Sequence, residues 1–205
     1  MALSSFVYVS NIDNLSDARF AAGMGVDLLG FKLDPNDATS LNNEQFHEIS
    51  EWISGVKIVG EFGDSNPEAV KKLLNQFNVD YLLISDESQL HDFSMLGLPL
   101  IYKLHFNESN KDALLSTINY CSGAVDYFLL ESDSPTLSEA AKNLISSLDS
   151  HYPLILGYGF ESNNVLDVVG EFSITGICLK GSPELRPGYK EFDELADILE
   201  ALEIE

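Results

Sequence analysis

Basic residues are scarce in this chain. Eleven lysines and arginines stand against 33 aspartates and glutamates, a net charge of −22 over 205 residues. Nucleic acid and anionic membrane surfaces both need a basic face on their partner, so neither is expected to bind. So much acid reads as a solvated surface. Cysteine is nearly absent, and Cys121 and Cys178 lack metal-ligand or redox spacing. No metal, cofactor or disulfide framework is therefore expected, and a reducing cytoplasm fits best. The first five residues have no basic cluster, so no signal peptide is expected. No apolar run approaches the roughly 20 residues of a membrane span. There is no Pro- or Ser-rich linker either, so residues 1–205 are read as one domain. Nothing in the sequence names a protein partner.

What is present is organised around Val7 to Pro35. Phe6 to Val9 is apolar and β-favouring, and Ser10-Asn11 turns the chain outward. Leu15, Ala18, Ala21 and Ala22 then recur at helical spacing, with Ser16 as the candidate N-cap and Gly23 and Gly25 ending the helix. Val26 to Leu33 is a near-continuous apolar run, the pattern of a parallel strand buried on both faces. Similar strand-like runs begin near Val56, Val79, Pro99, Val125, Leu154 and Ile174. Helical patterns fill the gaps: Glu44 to Ile53, Pro67 to Phe77, Ser88 to Leu96, Lys111 to Tyr120, Leu137 to Leu148, Ser162 to Val169 and Phe192 to Leu202. Strict strand–helix alternation predicts an α/β fold, a closed eight-stranded parallel (β/α)8 barrel, with an open doubly wound sheet as the alternative. An apolar content of 45% is enough for one substantial core.

In such a barrel chemistry sits at the C-terminal ends of the strands. Three of the eleven basic residues, Lys32, Lys103 and Lys180, fall there, and His105 shares strand parity with Lys103. Glu61, Asp86 and Glu131 lie within reach in the barrel plan. These charges read either as ion pairs or as an anion pocket, with a lysine as nucleophile or base in the sharper version.

The residues also carry a resemblance. The Asp17-Ala18 helix start, Gly23 to Asp27 and Gly30-Phe31 follow one another as D-A, A-G-x-D and G-F do at the opening of phosphoribosylanthranilate isomerase. Phe62 to Val70 (FGDSNPEAV), Asn164-Val165 and Pro187 to Lys190 continue the resemblance along nearly the whole chain. It implies a barrel from tryptophan biosynthesis and an Amadori-type isomerisation of a phosphorylated ribosylamine. In that pattern a cysteine removes a carbon-bound proton and an aspartic acid protonates the ring oxygen. Ser10 stands at the cysteine position and Glu131 at the acid position, so both catalytic positions are substituted. Thr39 stands where an arginine anchors the substrate carboxylate, and a hydroxyl cannot replace a bidentate guanidinium. The glycine-rich loop after the sixth strand is replaced by Ser132 to Thr136.

The resemblance further implies a phosphate site on backbone N–H groups after strands seven and eight. Gly159, Gly181 and Ser182 are its candidates, with Lys180 nearby and Tyr158 in the place of a glycine. The expected ligand is a small phosphorylated metabolite. Three readings of function stay open. The first is a family member whose isomerase activity is lost or weakened, binding a ligand or partner. The second is an active isomerase using Glu131 and an unidentified base. The third is a different enzyme using Lys103 or Lys180.

Overall fold

Eight parallel strands close on themselves: β1 (Phe6–Ser10), β2 (Leu28–Lys32), β3 (Lys57–Glu61), β4 (Tyr81–Ile84), β5 (Leu100–His105), β6 (Tyr127–Glu131), β7 (Leu154–Leu156) and β8 (Gly176–Lys180). The structure is a computed structural model and describes residues 2–63, 65–148, 152–181, 184–186, 189–190 and 193–204. Closure is completed by β8 pairing with β1, with Phe6 opposite Gly176 and Ser10 opposite Lys180. Helices α1 (Leu15–Gly23), α2 (Asn43–Ser50), α3 (Pro67–Leu73), α4 (Leu90–Ser94), α5 (Lys111–Cys121), α6 (Glu139–Leu148), α7 (Val165–Glu171) and α8 (Asp193–Ala201) alternate with the strands. This is a (β/α)8 barrel, as the alternation predicted. Residues 2–3 pair antiparallel with 203–204, tying the two ends of the chain together beneath the barrel.

Strand alternation divides the core in two. Outward residues such as Val7, Leu29, Leu82, Phe128 and Leu156 pack under the helices, where Phe46 of α2 meets Phe31 and Phe77 edge to face. Inward residues form a separate cluster with one member from every strand: Tyr8, Leu28, Val59, Leu83, Ile101, Leu129, Ile155 and Cys178. Phe6, Tyr81 and Tyr127 plug the lower end of the barrel. Toward the opposite end the inward strand positions turn polar, beginning at Ser10 and Glu61.

Three aspartates tie strands at their N-terminal ends. Asp27 accepts the Val7 N–H at 2.8 Å, Asp80 the Ile58 N–H at 2.9 Å, and Asp126 the Leu100 N–H at 2.9 Å. Each precedes the first residue of one strand and caps the neighbouring strand that comes before it in the chain. The Val-Asp pairs at 26–27, 79–80 and 125–126 are the sequence signal for this device. Asp27→Ala is expected to cost about 1.5–3 kcal/mol, the range for a hydrogen bond to a charged group. Chemical denaturation checks it, and a loss below about 0.5 kcal/mol would contradict the tie.

Local capping corrects several sequence expectations. Asn14, not Ser16, is the N-cap of α1, its side chain accepting the Asp17 N–H. Helix α3 ends at Leu73 rather than Phe77, because Asn75 and Gln76 bond three residues back and tighten the final turn. The expected helix from Ser88 to Leu96 begins as a 3-10 turn, Glu87–Gln89, capped by Asp86, before α4. A turn over 161–164, in which the Asn164 side chain accepts the Glu161 N–H, delays α7 to Val165.

Candidate functional site

The mouth of the barrel changes from apolar to charged within one step of the strands. Two residues beyond the inward apolar layer the strands present Ser10, Gly30, Glu61, Ser85, Lys103, Glu131, Gly157 and Lys180, and Lys32 follows Gly30 at the next inward position of β2. A cavity of about 340 Å³ opens there, with Ser10, Lys32, Glu61, Lys103, Glu131 and Lys180 in its wall. The strand ends thus bring together three lysines and two glutamates contributed by five different strands.

Glu61 is the most constrained of these groups. It is only 8% exposed, yet its carboxylate belongs to the cavity wall. Its Oε1 accepts the Tyr8 hydroxyl at 2.6 Å and the Asn11 N–H at 3.4 Å. Asn11 reaches that position with a left-handed φ of 57°, which asparagine tolerates better than most residues. A Cβ on Gly30 would collide with both Glu61 Oε1 and the Tyr8 hydroxyl, so glycine is what makes room for the pair. Burial raises the Glu61 pKa above the usual carboxylate value, outweighing the opposing pull of the Tyr8 and Asn11 bonds and of Lys103 and Lys32. The Tyr8 phenol is pushed well up, first by burial and then by the Glu61 charge. Sequence reading took Glu61 only as an ion-pair partner and missed Tyr8 and Gly30. The signal was an acid within the otherwise apolar run IVGEF.

Ser10 is buried at the end of β1, and its hydroxyl donates to the Leu179 carbonyl at 3.2 Å. Among the described residues no carboxylate or imidazole is bonded to it. The neighbouring Cys178 thiol is buried and its pKa is raised by burial, then by the Glu61 and Glu131 charges, despite a hydrogen bond with Ser10. It stays a protonated thiol near neutral pH and offers no base.

The lysines differ from one another. Lys32 faces Asp37 at 3.9 Å and Thr39 Oγ1 at 3.4 Å. Thr39 is exposed, and its N–H and hydroxyl both donate to Asp37 Oδ1, which lowers the Asp37 pKa. Lys103 and Lys180 have no carboxylate at ion-pair distance among the described residues. The expected pairing with Asp86 is not formed, because Ser88 and Gln89 occupy that carboxylate as the cap of the 3-10 turn. His105 turns to Asp133 at 3.3 Å on the rim.

No protein-family model matches the chain. It is 25% identical over 212 residues to N-(5'-phosphoribosyl)anthranilate isomerase of Synechococcus sp. (strain JA-2-3B'a(2-13)), covering 96% of this chain and 90% of that protein. The solved phosphoribosylanthranilate isomerase of Thermotoga maritima superposes with a TM-score of 0.79 at 21% identity, covering 97% and 98% of the two chains. Over nearly its whole length the chain is similar to phosphoribosylanthranilate isomerases. A further structure of the isomerase, in complex with reduced 1-(O-carboxyphenylamino)-1-deoxyribulose 5-phosphate, gives a TM-score of 0.77 at 20% identity.

The resemblance implies a backbone phosphate site on the loops after β7 and β8. The Gly181 N–H donates to the Ser10 carbonyl at 2.7 Å and is therefore occupied within the fold. Gly159 adopts a left-handed φ of 84°, with Leu137 packed where a Cβ would lie. Ser182, Pro187 and Gly188 lie outside the described residues. Tyr158 is buried and stacks on Phe106 with ring centroids 6.5 Å apart, and burial pushes its phenol up to about 12.

Proposed function

We propose that this barrel is a ligand-binding member of the phosphoribosylanthranilate isomerase family in which the isomerisation itself has been lost. One observation carries the reading: the Ser10 hydroxyl, at the position of the catalytic base, donates to a backbone carbonyl and has no described basic partner. A serine without a base cannot remove a carbon-bound proton near neutral pH. The neighbour solved with a carboxyphenylamino sugar phosphate adds support. A ligand of that kind carries a carboxylate, and the anchor position here is Thr39, already held by Asp37 and Lys32. The ligand we favour is a small phosphorylated metabolite. No described helix is long and apolar enough to cross a membrane, and both cysteines are free and buried, which supports a place in the reducing cytoplasm.

The second reading, a working isomerase with Glu131 as acid, draws on Glu61, a further carboxyl in the same cavity, as a base. Complementation separates the two. An auxotroph lacking the isomerase should not grow without tryptophan when it expresses this chain, and growth would favour the second reading. Ser10→Cys alone is expected to leave the auxotroph unrescued, because members of a catalytic unit act non-additively. Growth with that single change would show the rest of the isomerase site to be intact.

A further inference from the structure

We propose that the floor of the barrel mouth is an anion site built from the side chains of Lys103, Lys180 and Lys32, in which Glu61 takes up a proton as the anion binds. The inference rests on the ligand-binding reading of the mouth and names the chemistry of its ligand: a compact carboxylate, phosphate or sulfate group.

Charge placement is the first argument. A chain with a net charge of −22 and eleven basic residues directs three of them into one cavity. Like charges around a common volume repel one another unless something negative lies between them. Among the described residues the acids in the same wall pair with Lys32 but place no carboxylate at ion-pair distance from Lys103 or Lys180. Asp34 accepts from the Asn36 N–H, the Asn36 amide and the Ser65 hydroxyl, and Asp37 holds Thr39 and faces Lys32. Glu61 is committed to Tyr8 and Asn11, so among the described residues Glu131 is the cavity carboxylate without such a commitment. Lys103 and Lys180 remain unpaired among the described residues.

The position of the site follows from the backbone. The Gly181 N–H is spent on Ser10, so that donor is not available to an anion above β8. All three lysines line the cavity itself, where a ligand enters between walls of lower dielectric than water and charge acts more strongly.

The proton follows from what surrounds Glu61. Tyr8 on β1 and the Asn11 N–H touch it, while Lys32 on β2 and Lys103 on β5 act on it through their charge. Glu131 on β6 and Cys178 and Lys180 on β8 complete the same end of the barrel. The two lysines favour the ionised carboxylate, and burial opposes it. An anion seated on the lysines cancels their pull and adds a repulsion of its own. Both changes favour protonation of Glu61, and by linkage anion affinity must rise as pH falls.

Sulfate is the probe, because it carries no titrating proton near neutral pH. Calorimetry on the full chain, at one pH in two buffers of different ionisation enthalpy, reads affinity and proton uptake together. The expected result is saturable one-to-one binding with net proton uptake. Lys103→Met and Lys180→Met should each weaken binding by at least about tenfold. Lys72→Met, on α3 away from the cavity, should leave it unchanged. Glu61→Gln should bind sulfate at least as tightly and take up no proton. Malonate in place of sulfate reports whether a dicarboxylate fits the same lysines. Each variant is first checked for the wild-type circular dichroism spectrum, and if Lys103→Met does not fold, Lys180→Met decides. Absence of saturable binding by both probes, equal affinity in folded lysine variants, or proton uptake that persists in Glu61→Gln overturns the proposal. Isomerase turnover with the sulfate site intact would instead sink only the loss-of-activity reading.

Discussion

Gly30→Ala is expected to destabilise the protein by about 2–6 kcal/mol, far more than a single methyl usually does. The new Cβ would meet Glu61 Oε1 and the Tyr8 hydroxyl at impossible separations, and Tyr8 Cε2 at 2.9 Å. Neither neighbour can step aside cheaply, since Tyr8 is fully buried in the inward cluster and Glu61 is tied to it and to Asn11. Overpacking of this kind costs about 1–3 kcal/mol, and forcing the pair apart leaves buried polar groups unsatisfied at about 1–3 kcal/mol more. Thermal unfolding should register it as a fall of roughly 2–4 °C for each kcal/mol lost. The double variant Gly30→Ala/Glu61→Ala should recover part of the loss, because removing the carboxylate opens the space the methyl needs. A Gly30→Ala protein with near wild-type stability would mean that the Tyr8–Glu61 pair does not occupy the barrel interior as described.

Glu61→Gln should raise the melting temperature at neutral pH, and by an amount that depends on pH. Burial raises the Glu61 pKa in the folded state above its unfolded value, which is about 4.3. A group of this kind contributes its stability in full below the unfolded pKa and loses it as pH rises through the folded one. Glutamine keeps an oxygen to accept the Tyr8 hydroxyl but never ionises, so it escapes that loss. The two proteins should therefore melt alike near about pH 4 and diverge as pH climbs, with the variant the more stable. The attraction of Lys32 and Lys103 for an ionised Glu61 is the opposing effect, and burial is the larger of the two. Melting curves of both proteins between about pH 4 and pH 8 check this. A variant less stable than wild type at neutral pH would show that the lysines win.

The barrel was legible because each strand announces itself locally. The apolar runs starting near Val7, Val26 and Val56 need only the rule that a strand buried on both faces is apolar throughout. Helix starts were less legible: Asn14 outcompetes Ser16 as cap of α1 through a side-chain geometry that spacing alone does not reveal. At the mouth, strand parity was enough to place Lys32, Lys103, Lys180 and Glu131 on one cavity. It was not enough to assign their partners. Asp86 lies two residues past the end of β4, one position beyond the inward Ser85, and caps the turn that follows with its carboxylate. The Tyr8–Gly30–Glu61 arrangement was beyond reach, because its members are up to 53 positions apart and are joined only by barrel closure and register. Tyrosine in an apolar strand and glycine in the next read individually as core and as a weak strand residue.

The central claim, that the isomerase site no longer works because Ser10 has replaced its base without a partner, meets its most direct test in an assay of the purified chain on phosphoribosylanthranilate. No detectable conversion is expected, at any protein concentration that leaves the substrate's own breakdown measurable. Turnover near about 1 s⁻¹, an ordinary enzymatic rate, would contradict the account and favour a working isomerase with Glu131 as acid and Glu61 as base.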